Sequence, residues 1–183
     1  MKKTILLALV FLATSLNAQR LSLSANALEC ANFGTLNAEM GFALTQHLSV
    51  TAGTRYNPWT FGNDDSGYTQ NRSLSFAAGV RWWTWNVNSG WWFSFKGQWE
   101  QYNRSLPAHN GRAEEGDALG AGFSLGYALM LSRHLNIDFG LGAWGGTKDY
   151  VAYACPRCGR IVDSGRKGFI RPNDVQASIV YIF

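Results

Sequence analysis

Eight amphipathic strands closed into one antiparallel barrel is the fold class that the sequence predicts, all-β throughout, and three observations carry it. Segment after segment sets apolar residues at every second position, the period of a strand. Beyond residue 18 no stretch reaches the ~18 continuous apolar residues of a membrane helix, although aromatics are 14% of the chain and eight of them are Trp. In residues 175–183, Val175, Ala177, Ile179, Tyr181 and Phe183 share one face against Gln176 and Ser178. A bilayer leaves no backbone polar group unpaired, so a chain that crosses it without a helix crosses as a closed barrel. The expected fold is therefore an eight-stranded transmembrane β-barrel of the outer-membrane type.

Residues 1–18 read as a signal peptide: Lys2 and Lys3, an apolar run over 5–16, then Asn17-Ala18 before Gln19. Residues 19–183 are expected to form a single barrel domain. Two positive charges of the overall +4 lie in the leader, so the remainder is close to neutral and basicity argues for no nucleic-acid partner.

The first strand is expected over 21–29, with Leu21, Leu23, Ala25 and Ala27 on one face. The second, about 35–44, alternates Leu36, Ala38, Met40, Phe42 and Leu44 with Asn37, Glu39 and Gly41. After a turn at Thr45-Gln46, the third carries Leu48, Val50 and Ala52 opposite Ser49, Thr51, Gly53 and Arg55. It ends in Tyr56-Asn57-Pro58-Trp59-Thr60-Phe61, where Pro58 marks the end of pairing. A polar loop over 62–70 precedes the fourth strand, about 72–85, and a turn over 86–90 has the composition of a tight connection. The fifth runs from 91 to about 102. Trp82, Trp83, Trp85, Trp91 and Trp92 flank that turn and predict an aromatic girdle at a membrane interface.

A second polar loop is expected over 103–116. The sixth strand, 117–131, points Leu119, Ala121, Phe123, Leu125, Tyr127, Leu129 and Leu131 one way and small residues the other. The seventh begins at Leu135, the longest loop is expected over 154–171, and the segment 175–183 closes the ring. Short and long connections alternate as they do in barrels with periplasmic turns and external loops. Eight strands leave an interior that side chains fill, so no open pore is expected.

The interior set predicted by parity is Glu39, Arg55, Arg81, Lys96, Glu100 and Asp138. Charges in a narrow interior are costly unless paired, so these are expected to form a lumenal ion-pair network. Cys155-Pro156-Arg157-Cys158-Gly159 has the form of one zinc-ribbon knuckle. In an exported chain the spacing favours a Cys155–Cys158 disulfide with Cys30 free; the alternative is a structural zinc held by Cys30, Cys155 and Cys158 and completed by His109. Arg157, Arg160, Arg166, Lys167 and Arg171 make the same segment basic, a candidate surface for lipid phosphate or an acidic partner. No catalytic residue and no other cofactor is assigned. The enzymatic alternative, a lipid A-modifying hydrolase, would draw on His109 with Ser105, Glu114 or Glu115, while His47 and His134 read as turn residues.

The Tyr56–Phe61 segment, the Cys155–Gly159 knuckle, the following Ser164-Gly165-Arg166-Lys167 and Pro172 together resemble a family of small Bacteroidales outer-membrane proteins classed as a domain of unknown function. The resemblance covers essentially the whole exported chain and brings no catalytic residues. It implies a gene encoded near those of fimbrillin-type surface fibres and hence a role in surface assembly. The C-terminal strand, with Tyr181 and Phe183, resembles the signal read by the barrel-assembly machinery. The expected function is a non-enzymatic integral outer-membrane barrel whose surface loops dock a surface or fimbrial protein or lipopolysaccharide. A soluble periplasmic lipid-carrying barrel, apolar inside and polar outside, is the third reading.

Overall fold

The computed structural model describes residues 21–61, 69–105, 113–155, 159–172 and 175–183. It is almost entirely β, with one short helix. The elements are β1 (Leu21–Asn26), α1 (Ala27–Ala31), β2 (Leu36–Ala43), β3 (Leu48–Asn57), β4 (Thr60–Phe61), β5 (Thr69–Trp83), β6 (Gly90–Ser105), β7 (Ala113–Met130), β8 (Leu135–Tyr153), β9 (Ile161–Pro172) and β10 (Gln176–Ile182).

Every pairing is antiparallel. Neighbouring strands follow the order β1, β2, β3, β5, β6, β7, β8, and β10 then pairs with both β8 and β1, which closes a ring of hydrogen-bonded strands. At the seam Ser22 lies opposite Ile182 and Asn26 opposite Ser178. One end of the ring carries the tight turns and the seam bonds Phe183 N–H to Leu21 O and Ile182 N–H to His134 O. The other end is reached by β5, β6, β7, β8 and β9, which extend past β1, β2 and β10.

The ring is inverted relative to a water-soluble protein. Its outward positions are apolar: Leu36, Met40, Phe76, Val80, Phe95, Leu119, Phe123, Leu141 and Ile179 are all exposed. Its buried inward positions are mostly polar, among them Ser49, Ser75, Arg81, Lys96, Gln98, Glu100, Ser124, Asn136 and Asp138. The outward apolar run on β7 extends from Leu119 to Leu129 and gives way to Asp117 and Glu115 above it.

Four features differ from the sequence expectation. Trp83 and Trp92 do not face outward: parity turns both inward, where with Ala128 they form a buried cluster near the turn end, with the half-buried Val87 packed against it. Trp82, Trp85 and Trp91 stay outside. The first strand stops at Asn26, because the Asn26 side chain accepts from Leu28 N–H at 3.1 Å and starts α1 as an N-cap. Most of the loop expected over 154–171 is strand β9, paired with β8 from Ala143–Pro172 to Tyr153–Ile161. The loop expected over 103–116 is shortened from both sides by β6 and β7.

Tight strand contact requires several of the inward glycines. A Cβ on Gly126 would run into the Phe139 carbonyl and the Trp92 ring, and one on Gly146 into the Leu119 carbonyl.

Candidate functional site

Charge enters the interior in layers, each positioned by strand parity. Nearest the turns, Arg81 on β5 reaches across to two carboxylates, Glu39 Oε1 at 2.8 Å and Asp138 Oδ2 at 3.1 Å. Its guanidinium lies 4.2 Å from the centre of the Trp92 ring. Lys96 Nζ completes the layer 3.2 Å from Glu39 Oε2. Paired, bonded and stacked, these charges avoid the cost of isolation in a dry interior. The space above them, lined by Ser24, Glu39, Arg55, Lys96 and Ser178, is a cavity of only about 40 Å³, room for little more than a bound water or two. Filled in this way, the interior is a plug.

The second layer sits where the strands begin to overrun the ring. Glu100 receives both Arg104 and Arg171, and Arg171 stacks 4.9 Å from the Trp144 ring centre and 5.3 Å from that of Phe169. Arg55 meets Glu29 of α1 at 2.7 Å, which ties the helix to the wall. Arg55, Arg104, Arg171, Glu29 and Glu100 surround a vestibule of about 500 Å³.

The third layer belongs to the projecting part of β6–β9. Tyr102 O–H donates to Glu114 at 2.7 Å, and Lys148 Nζ lies 2.5 Å from the same carboxylate. Asn103 and Tyr153 both donate to Glu115. On the outward face Arg166 bonds Asp149 through two nitrogens at 2.6 and 2.8 Å. On the inward face Tyr150 O–H donates to Asp163 at 2.8 Å, and Lys167 Nζ lies 3.6 Å from Asp163 and 4.5 Å from the centre of the Tyr150 ring. The Arg166 hydrogen bonds hold the Asp149 carboxyl below its ordinary range, and the Tyr150 hydroxyl does the same for Asp163.

The six interior charges named from sequence are thus all inward. Glu39, Arg81, Lys96 and Asp138 meet in one layer, while Glu100 and Arg55 belong to the next. The five basic residues do not form one loop: Arg171 is an inward member of the Glu100 cluster, and Arg166 and Lys167 lie on opposite faces of β9. Arg160 sits at the tip, and Arg157 lies outside the described residues. Parity gives no inward set for a segment expected to be a loop, so the inward places of Arg171, Phe169 and Asp163 on β9 and of Arg104 on β6 are seen only in the structure; Glu29 lies in the expected first strand but reaches Arg55 from α1.

Cys155 is disulfide-bonded and Cys30 is an exposed free thiol; Cys158 and His109 lie outside the described residues. Among those described, no group of three or more His, Cys, Asp and Glu side chains is arranged to hold a metal ion. His47 Nδ1 lies 3.2 Å from Trp83 O, and His134 Nδ1 lies 2.9 Å from Ile182 O, so each ring is tied to the backbone beside a turn. Tyr181 and Phe183 pack edge to face at 5.0 Å on the outside of the seam.

A family model described as "protein of unknown function (DUF3575)" matches residues 4–183. No curated protein and no solved structure matches the chain.

Proposed function

The chain belongs to the DUF3575 family, proteins of unknown function, and we propose that it is an integral outer-membrane β-barrel, eight strands in its ring, without enzymatic activity. Its interior is sealed by paired charges, and its β8–β9 projection is the part that meets a surface partner. The observation that carries this reading is the inversion of polarity around the ring. The outward apolar residues of β7 from Leu119 to Leu129, six in all, span eleven positions, the length of one strand crossing, ~9–11 residues. A soluble lipid carrier would need the opposite arrangement, with apolar residues lining a cavity.

Strand lengths divide membrane from surface. β8 has 19 residues, about twice one crossing; Leu119 and Leu129 pair with Thr147 and Ile137, so β8 beyond Thr147 and β9 from Ile161 to Lys167 stand outside the hydrocarbon with Asp149, Arg166, Asp163 and Lys167. The plug argues against a solute path. Glu114 and Glu115, the carboxylates on which a lipid-modifying reaction would draw, are engaged with Tyr102 and Lys148 or with Asn103 and Tyr153. The partners of this reading are outer-membrane lipid, the barrel-assembly machinery that reads Tyr181 and Phe183, and a surface protein or lipopolysaccharide at the projection.

Carbonate extraction and unboiled electrophoresis test the membrane part. The protein is expected to stay in carbonate-washed membranes and to migrate as a compact species that boiling converts; release into the wash would contradict it. Cross-linking from position 160 on intact cells tests the docking part. Capture of lipopolysaccharide alone would reduce the projection to a membrane anchor.

A further inference from the structure

Above the plug, three guanidinium groups share one space. The vestibule of about 500 Å³ lies between the Arg81 layer and the end of the ring away from the tight turns, and Arg55 of β3, Arg104 of β6 and Arg171 of β9 all line it. Among the described residues its only carboxylates are Glu29 and Glu100, so the lining carries three positive charges against two negative ones. Glu100 already serves both Arg104 and Arg171.

Exposure decides which sign the space presents. The side chains of Arg55, Arg104 and Arg171 are 24%, 29% and 32% exposed, whereas those of Glu29 and Glu100 are 14% and 7% exposed. The accessible charge is therefore positive, and a partly enclosed positive site favours an anion. Two of the three arginines are also held still. Arg171 lies against the Trp144 and Phe169 rings, and the Arg104 guanidinium is 5.1 Å from the centre of the Tyr102 ring. A guanidinium fixed by stacking loses little freedom when a carboxylate or phosphate meets its fork.

Most of the remaining lining is amide or hydroxyl, with Asn32, Asn71, Ser73 and Gln98 among it. Such a surface offers donors and acceptors to a hydroxyl-rich molecule and little to an acyl chain. The volume falls within the ~300–1,000 Å³ of small-molecule sites. We propose that the vestibule is a binding site for a small anionic sugar, its carboxylate or phosphate met by Arg55, Arg104 and Arg171 and its hydroxyl groups by the amides around them. The inference goes beyond docking at the projection: it stands on the ring and its plug, whatever the projection meets.

The test uses the full chain folded in micelles of a detergent that carries neither sugar nor charge. Unboiled mobility confirms the fold first, so that failure of the barrel and failure of the site are separate results. The probes are glucuronate, glucose 6-phosphate, neutral glucose and inorganic phosphate, titrated calorimetrically. One of the two anionic sugars is expected to bind at least roughly tenfold more tightly than glucose, which lacks the charge-assisted contact, and than phosphate, which lacks the hydroxyl contacts. Which of them binds identifies the anion. Arg104→Gln should weaken that binding at least roughly tenfold, and Arg166→Gln, on the outward face of β9, should leave it unchanged. Equal binding of glucose, a match by phosphate alone, or no binding of any probe would overturn the proposal. So would an equal loss in Arg166→Gln, which would put the anion on the outer surface, or tighter binding of a tri-glutamate peptide, which would make the occupant a protein segment. The comparison of probes on the wild-type chain decides the matter even where Arg104→Gln does not fold.

Discussion

Arg81 is the side chain on which the interior depends most. It holds Glu39 and Asp138 together and covers the Trp92 ring, so its removal takes from the buried Asp138 the cation it faces, while Glu39 keeps Lys96. Arg81→Ala is expected to cost about 3–5 kcal/mol, the usual size for breaking a buried pair. Adding Asp138→Asn should restore part of the loss, because one unpaired charge disappears with it. Urea unfolding in micelles, followed by Trp fluorescence, reads both; equal midpoints for wild type and Arg81→Ala would show that the layer is not structural. This layer was legible in the sequence because parity alone sends Glu39, Arg81, Lys96 and Asp138 inward. Parity also sends Trp83 and Trp92 inward, yet their crowding around one turn suggested an interfacial belt. Composition was allowed to override period, and period was right.

Among the elements, the β8–β9 hairpin and α1 were the hardest to read. The β9 sequence is polar and contains Gly165 and Gly168, which resembles loop composition. Its strand character comes from pairing with β8, a long-range contact that local propensity does not register. For α1 the signal was present: Asn26 is a good N-cap and Ala27-Leu28-Glu29 are strong helix formers, but the alternation of Ala25 and Ala27 masked it. The hairpin has its own acid response. The Arg166 and Tyr150 hydrogen bonds hold Asp149 and Asp163 below their ordinary range, so the folded hairpin binds fewer protons than the unfolded chain. Its stabilisation is complete above the ordinary carboxylate range and is lost as pH falls through the lowered values. Backbone chemical shifts of β8 and β9 beyond Thr147 should therefore hold from neutral pH through that range and move toward coil values below it, before those of β6 change. A hairpin that loosened on raising the pH from neutral would contradict the assignment of these pairs.

At the scale of the whole molecule, the ring of strands and its closure between β1 and β10 followed from the alternation and from residues 175–183. What alternation could not supply was the height of the wall: β5 to β8, of 15 to 19 residues, are longer than β1, β2, β3 and β10, and among the described residues the seam beside β9 stays open. If the ring spans a bilayer as proposed, the apolar outward surface faces lipid and the projecting part of β8 and β9 is the surface left for a partner.

The decisive measurement is spin-label accessibility along the outward face of β7, at positions 117, 119, 121, 123, 125, 127 and 129, in liposomes. If the ring spans a bilayer, the ratio of oxygen accessibility to that of a water-soluble nickel chelate should rise from position 117 to a maximum near Phe123 and fall again toward Leu129. High chelate accessibility at every one of these positions would contradict it and leave the apolar band facing water or another protein.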